Sequence, residues 1–373
     1  MRDEAFVVGC GPCGAIAASE LARRGHDVKI YEEHARIGFP VQCSGLISKS
    51  GLDSLGVDYG RAVQNEIRGA VFHSPGGNTL VVRAPEVKAF VIDRTRFDKL
   101  CATEAEKNGA KIMPKKRAKK NDLFRAKIII GADGAGSPVA RWFGFPKINE
   151  HVTCYQIDYE NARVEDPRVV HVFLSNTLAP GLFGWVIPID EERARVGLGT
   201  SAPAQLRASF KKLISHPHVS RVLEKAKETS RLAGTIPARV REKTAKGNVL
   251  LVGDAAGQVK ATTGGGVVFG GLCARIAGKI AADSLDEKAK LSDYERAWRK
   301  KYARDLELHH RIRAFLSSLD DAQLEKYFAL AKKLRMEKFL VRHGNMDRPT
   351  AMERALPFAR ALGANLFNIF TKI

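Results

Sequence analysis

The chain has 373 residues with 33 Gly, 15 Pro and 45% hydrophobic residues, enough apolar material for a large core, which excludes intrinsic disorder and fibrous architectures. Its 61 Lys and Arg against 41 Asp and Glu leave a formal charge of +20, so an anionic partner is expected: nucleic acid, a lipid surface or a phosphorylated substrate. Six scattered cysteines make no disulfide framework, and a reducing cytoplasm is the expected compartment.

The run Ala5-Phe6-Val7-Val8 reads as a core strand rather than a leader, so export is not expected. Alanines and Leu21 at helical spacing predict a helix over 14–24, stopped by Gly25, and Val28, Ile30 and Tyr31 predict a second strand. Short β-branched runs between Ala70 and Ile92, split by Ser74-Pro75-Gly76-Gly77, carry a hairpin signal. A helix is expected from Asp93 to Gly109 and a buried strand at 127–131. Strand-like alternation dominates 145–239, with one helix near 204–214. Asn248 to Asp254 reads as a last core strand before a Gly-rich turn and a helix to about Ser284. The apolar stretches 249–259 and 261–274 are interrupted by Asp254 and glycines, short of the roughly 20 residues of a membrane span.

The expected fold is α/β: a Rossmann-like nucleotide domain with a parallel sheet, an inserted antiparallel-sheet substrate domain and a C-terminal helical region. The nucleotide domain is expected in three segments, 1–69, 93–144 and 240–285. The substrate domain takes 70–92 and 145–239, and the helical region 286–373. Near the end, Phe358, Leu362, Leu366 and Ile369-Phe370 form a narrow apolar stripe, either packed on the body or resting on anionic lipid.

Gly9-Cys10-Gly11-Pro12-Cys13-Gly14 lies between a predicted strand and helix, with Glu32 at the end of the next strand. Glycines permit the tight turn and close approach of backbone N–H groups to a pyrophosphate, and a carboxylate at Glu32 suits ribose hydroxyls. Alternation with Val28 and Ile30 favours Glu32 over Glu33. The Cys10-x-x-Cys13 pair sits inside that loop, where small side chains matter more than thiol chemistry. A second G-x-G-x-x-G is missing, which disfavours a disulfide oxidoreductase with two dinucleotide folds. Two further turns follow core strands: Gly131-Ala132-Asp133-Gly134-Ala135-Gly136-Ser137 with Arg141, and Gly253-Asp254-Ala255-Ala256-Gly257.

In this order and spacing the three turns resemble the fingerprints of the FAD-dependent hydroxylase-like flavoproteins. The resemblance places Asp133 and Gly134 by the flavin and gives Asp254 the ribityl chain to bind. Within that superfamily, Ile37 to Gly45 with Cys43-Ser44, Asp93-Arg94-x-x-Phe97-Asp98, and Thr262-Thr263-Gly264-Gly265-Gly266 with Val267 are similar to the geranylgeranyl reductase family, especially its archaeal branch. So is Phe183-x-Trp185-x-Ile187-Pro188 followed by Gly197-x-Gly199, which resembles that family's aromatic substrate-cavity motif. Ile187 stands where Phe is common and Ala261 where Pro is common. The same segment also resembles the W-x-W-x-I-P motif of flavin-dependent halogenases, so that alternative stays open here; the Cys43 segment and the Gly264 to Gly266 turn favour the reductase.

The resemblance implies FAD, with Arg94 on its phosphates and Cys43 near its ring to tune it, shuttle a proton or fill space. It implies reduction of C=C bonds in geranylgeranyl chains of archaeal diether lipids, by hydride from reduced flavin and a proton at the other carbon. The rivals are a flavin monooxygenase or halogenase and a flavin carrier of electrons to quinone. The outside donor is left between NAD(P)H, a ferredoxin and reduced deazaflavin. An isoprenoid lipid partner, peripheral contact with an anionic membrane from the cytoplasmic side and an electron-donor protein are expected. Nucleic acid is not, because the Lys115 to Lys120 run has no interleaved aromatics.

Overall fold

The computed structural model describes residues 4–350. The C-terminal stripe at 358–370 lies outside them.

A six-stranded sheet forms the nucleotide domain, in the order Ala245–Lys246, Val249–Leu251, Ile128–Gly131, Ala5–Val8, Val28–Tyr31, Lys111–Met113. All its pairings are parallel except that of Ala245–Lys246 with Val249–Leu251. Its central strands Ala5–Val8, Ile128–Gly131 and Val249–Leu251 read as unbroken apolar runs because both faces are covered. Ala5 and Val7 face one core with Ile16, Leu21, Phe97 and Phe269, while Phe6 and Val8 face the other with Leu123, Val139 and Phe145. The helix after the first strand spans Pro12–Ala22, starting two residues earlier than expected because Pro12 occupies its first turn, where the missing N–H costs nothing. It packs against Val267–Leu285 through bare backbone: a Cβ at Gly278 would lie 2.5 Å from the Ala17 carbonyl oxygen.

The substrate domain is a seven-stranded sheet, in the order Lys227–Pro237, His151–Glu160, Ala194–Thr200, Gly184–Pro188, Val169–Phe173, Gly69–His73, Thr79–Arg83. Helices Leu206–Ile214 and Pro217–Val222 cover one face around Phe173, Val196 and Phe210. The other face turns toward the nucleotide domain. The run at 70–92 divides between two sheets. Gly69–His73 and Thr79–Arg83 form the expected hairpin, but Ala89–Ile92 lies between Leu46–Ser48 and Val63–Ile67 in a separate three-stranded sheet. A hairpin signal is local, whereas the partners of Ala89–Ile92 come from earlier in the chain, so the sequence pattern did not show this third sheet.

Three helices, Asp293–Ser318, Asp321–Lys333 and Met336–His343, follow. The first is fixed to the nucleotide domain by polar contacts inside the core. Tyr294 Oη donates to the Leu251 carbonyl at 2.9 Å and Trp298 Nε1 donates to Thr244 Oγ1 at 2.8 Å. Among the described residues no helix is long and apolar enough to cross a membrane.

Candidate active site

One cavity of about 1390 Å³ runs between the two large sheets. Of the candidate cofactor- and substrate-binding residues, all line it except Gly14, Pro188, Gly197 and Gly199.

At its polar end the strand Ala5–Val8 delivers the chain into the first glycine loop. Gly9 has φ +98°, and a Cβ there would lie 2.5 Å from the Ala132 carbonyl oxygen. Gly14 sits under the loop against the carbonyl of Gly9, so it shapes the turn without reaching the cavity. Gly11 instead faces open space and caps the helix with no side-chain hydrogen bond. The helix therefore presents bare N–H groups beside free volume, the arrangement a pyrophosphate requires. Gly266 caps Val267–Leu285 in the same uncapped way, so two helix N-termini converge on the cavity. Cys10 and Cys13 sit in the loop, and burial pushes both thiols up to about 12, well above the ordinary thiol range. Among the described residues no cluster is suited to hold a metal.

Glu32, 8% exposed, ends the second strand. Its Oε2 accepts from Cys10 N at 2.9 Å and its Oε1 from His34 N at 2.8 Å. His34 Nδ1 also lies 2.8 Å from Oε1, so the carboxylate is fixed against the glycine loop and Oε2 keeps a lone pair for a hydroxyl donor. Lys116 and Arg117 line the cavity beside it, with Lys116 N donating to the Glu32 carbonyl at 2.8 Å.

The two later acids behave differently. Asp133 spends both oxygens on its own turn, accepting from Ser137 Oγ at 2.6 Å and from Val139 N at 2.8 Å, so its carboxylate fixes the start of helix Pro138–Trp142. Asp254 makes no such cap. Its side chain stands against Gly266, where a Cβ would lie 2.5 Å from Oδ1, and burial raises its carboxyl while the Arg94 cation opposes that rise. Arg94 lies between Asp254 and Cys43. It starts helix Arg94–Lys107, and its guanidinium forks onto Asp98 at 2.8 and 3.0 Å. Burial works against the Arg94 charge, and Asp98, with Cys43 beside it, more than offsets this and holds the proton more firmly than usual. This is a buried pair rather than a surface one, with side chains 14% and 8% exposed.

Cys43 sits where polar and apolar ends meet, its Sγ accepting from Gly45 N at 3.4 Å. Beyond it the aromatic motif builds a wall. Phe183 and Trp185 meet edge to face with centroids 6.1 Å apart. Gly197 lies opposite Trp185 on the neighbouring strand, and a Cβ there would be 2.6 Å from the indole. A Cβ at Gly199 would be 3.0 Å from Cys154 Sγ. The G-x-G is therefore a bare strip on which the wall rests. Pro188 lies at the strand end, its carbonyl accepting from Asn65 Nδ2 at 3.0 Å. Past the indole the lining is mostly apolar, with Ile67, Ala70, Phe72, Val82, Val170 and Val172 among it and Leu340 and Met346 from the C-terminal region, while Arg68, Glu86, Lys88 and His171 also line the cavity. The sequence reading missed Gln156, Asp158, Arg195 and Lys260, all of which hold this site. A polar residue among the apolar ones of 151–160, and an Arg beside the G-x-G, were the available signals.

The sequence model of the FAD binding domain family matches residues 77–291, and that of an NAD(P)-binding Rossmann-like domain matches 7–65. Fold and loops together define an FAD flavoprotein with an added substrate sheet. The digeranylgeranylglycerophospholipid reductase of Methanothrix thermoacetophila is 31% identical, over 87% of this chain and 90% of its own. That of Methanocaldococcus jannaschii is 30% identical, over 89% and 90%. The chain belongs to the digeranylgeranylglycerophospholipid reductase family. In fold it is similar to the crystal structure of a geranylgeranyl bacteriochlorophyll reductase-like protein from Thermoplasma acidophilum, with a TM-score of 0.81 at 23% identity over 94% of this chain and 98% of the other. A flavin-dependent brominase shares the fold at a TM-score of 0.71 and 14% identity, over 97% and 98%. FAD is the cofactor, and the residues present are chemically suited to it: uncapped helix termini would accept phosphates, and the Glu32 and Asp254 carboxylates would accept hydroxyl hydrogens.

Proposed function

We propose that this protein reduces C=C bonds in the geranylgeranyl chains of archaeal diether lipids. One observation carries the reading. The polar cradle and the apolar recess are one continuous cavity, joined at Cys43 and Trp185, so a long hydrocarbon entering the recess brings its alkene to the dinucleotide end. Bound FAD, when reduced, supplies the hydride for one alkene carbon.

The chain's own residues do the rest. Two uncapped helix ends and Arg94 hold the phosphates, while Glu32 and Asp254 accept hydroxyl hydrogens. Phe183 and Trp185 exclude water from an alkene that is a poor hydride acceptor. Cys43 Sγ is placed at the junction to hold or pass the proton for the second carbon. The formal charge of +20 suits an anionic head group and peripheral attachment to an anionic membrane from the cytoplasmic side. NAD(P)H, a ferredoxin or reduced deazaflavin serves as outside donor.

Anaerobic incubation of dithionite-reduced protein with a geranylgeranylated diether lipid tests this by mass spectrometry. The expected result is a gain of two hydrogens per double bond with reoxidation of the bound flavin. Reoxidation only by oxygen, with hydroxylated or halogenated product, or only by quinone, would overturn it.

A further inference from the structure

Arg195 joins two walls of the cavity that lie far apart in the chain. It stands on strand Ala194–Thr200 directly opposite Asp158 and is 8% exposed. Its guanidinium donates to Asp158 Oδ2 at 3.3 Å, to Gln64 Oε1 at 2.9 Å and to the backbone carbonyl of Ser44 at 2.6 Å. These acceptors come from three separate segments, and the planar fork reaches all of them at once.

From Asp158 the contacts continue. Asp158 Oδ1 accepts from Gln156 Nε2 at 2.9 Å, and Gln156 Oε1 accepts from the Trp185 indole N–H at 3.1 Å. Gln156 is 1% exposed, so each of its groups depends on these partners. One polar chain thus runs from the aromatic wall to the carbonyl of Ser44, the residue after Cys43. Gly45 makes room for it. Its φ is +74°, and a Cβ there would lie 2.8 Å from Arg195 Nη1.

We propose that Arg195 is a positioning residue for alkene reduction, holding the Cys43 loop in fixed relation to Trp185 so that thiol and hydrocarbon wall meet the same point of the cavity. The kinetic part rests on the prenyl reductase reading above; the structural part does not.

The test uses the full-length, flavin-loaded protein with Arg195→Met and Arg195→Lys. Iodoacetamide labelling is mapped by peptide mass spectrometry, with the buried Cys101 and Cys273 as internal references. In Arg195→Met the Cys43 labelling rate is expected to change by about tenfold while the references hold. Turnover is expected to fall by at least about tenfold with lipid KM nearly unchanged. Arg195→Lys keeps the charge beside Asp158 without the fork and is expected to fall between. Should Arg195→Met fail to fold, as read from flavin content and melting, Arg195→Lys and Gln64→Ala carry the same comparison. Wild-type Cys43 labelling in the folded variants would overturn the proposal. If the wild type reduces no prenyl lipid, the functional reading falls and labelling alone decides the role of Arg195.

Discussion

The indole N–H of Trp185 reaches Gln156 Oε1 at 3.1 Å by crossing the strand that lies between them, and it crosses where that strand carries Gly197. Gln156, Gly197 and Trp185 form one cross-strand row of the substrate sheet. With nothing on the middle strand, the ring lies flat across it and its only polar atom finds a buried partner.

A side chain at 197 therefore has a predictable effect. In Gly197→Ala the new Cβ meets the indole at 2.6 Å, and the ring must lift from Gln156. Overpacking of this kind costs about 1–3 kcal/mol. The expected outcome is a red-shifted tryptophan emission, a lower melting temperature and a raised lipid KM, with flavin content unchanged. Unaltered emission and KM would show that the row is not what orients Trp185.

Glu32 makes a second case. Its carboxylate is held by Cys10 N on Oε2 and by His34 N and Nδ1 on Oε1, so Oε2 keeps a lone pair for a hydroxyl. A hydrogen bond to a charged group contributes about 1.5–3 kcal/mol, so Glu32→Gln is expected to weaken FAD binding by roughly 10- to 100-fold in a fluorescence titration of apoprotein. Glu33→Gln serves as the comparison, since Glu33 is exposed and pairs with Arg117 at 3.4 Å. Equal losses in the two variants would contradict the assignment.

What the sequence made legible follows a physical division. The glycine loops, Glu32 and the aromatic motif were visible because backbone turns and short-range spacing leave a local imprint. Their roles were less so. Asp133 and Asp254 look alike in sequence, each an acid after a core strand before glycines, and only the coordinates separate them. Ser137 and Val139 lie within reach of Asp133 and take both its oxygens, while the Asp254 side chain stands against Gly266. The tie from Arg195 to Ser44 spans 151 positions, and that of Lys260 to Asp347 spans 87. No periodicity reports such pairings, nor the sheet formed by Leu46–Ser48, Ala89–Ile92 and Val63–Ile67.

Four histidines make the substrate sheet acid-sensitive. His73 Nε2 lies 3.0 Å from His171 Nδ1, His171 stacks on His218, and His216 closes the group around Phe173. Burial, with His218 and His216 nearby, lowers His73 to about 4, and burial with His218 and His73 lowers His171 to about 3. Asp166 pulls His171 the other way, Glu165 does the same for His218, and Arg221 opposes it. In the unfolded chain these imidazoles titrate near 6.5, so below that pH the unfolded state takes up protons that the folded state refuses. Stability is flat with respect to them above about 6.5 and falls as the pH drops toward 4. His73, 8% exposed, accounts for about 1–2 kcal/mol at pH 5. Melting curves from pH 8 to 4.5 are expected to decline below 6.5, less steeply in His73→Gln. Parallel profiles for the two proteins would refute the contribution of His73.

The Gly-rich turn before helix Val267–Leu285 is tied to the C-terminal region by a buried ion pair. Lys260 Nζ lies 2.6 Å from Asp347 Oδ1, with side chains 6% and 8% exposed, and Ser48 Oγ donates to the other oxygen. The Asp347 carbonyl accepts from His309 Nε2 at 3.0 Å, and burial lowers that imidazole to about 4. His309 is therefore neutral near pH 7, protonated at Nε2, and its Nδ1 accepts from Thr262 Oγ1 at 2.6 Å. Asp347→Asn leaves the Lys260 ammonium buried without its counter-charge, which costs about 3–5 kcal/mol. Lys260→Met/Asp347→Leu removes both charges and is expected to lose far less. Denaturant titration of the two variants separates these outcomes. Because Lys260 N and its carbonyl also close the turn with Gly265 and Gly264, Asp347→Asn is expected to weaken FAD binding as well, and the double variant to recover it. A double variant as unstable as the single one would mean that the segment at 344–350 is held by its packing and not by this pair.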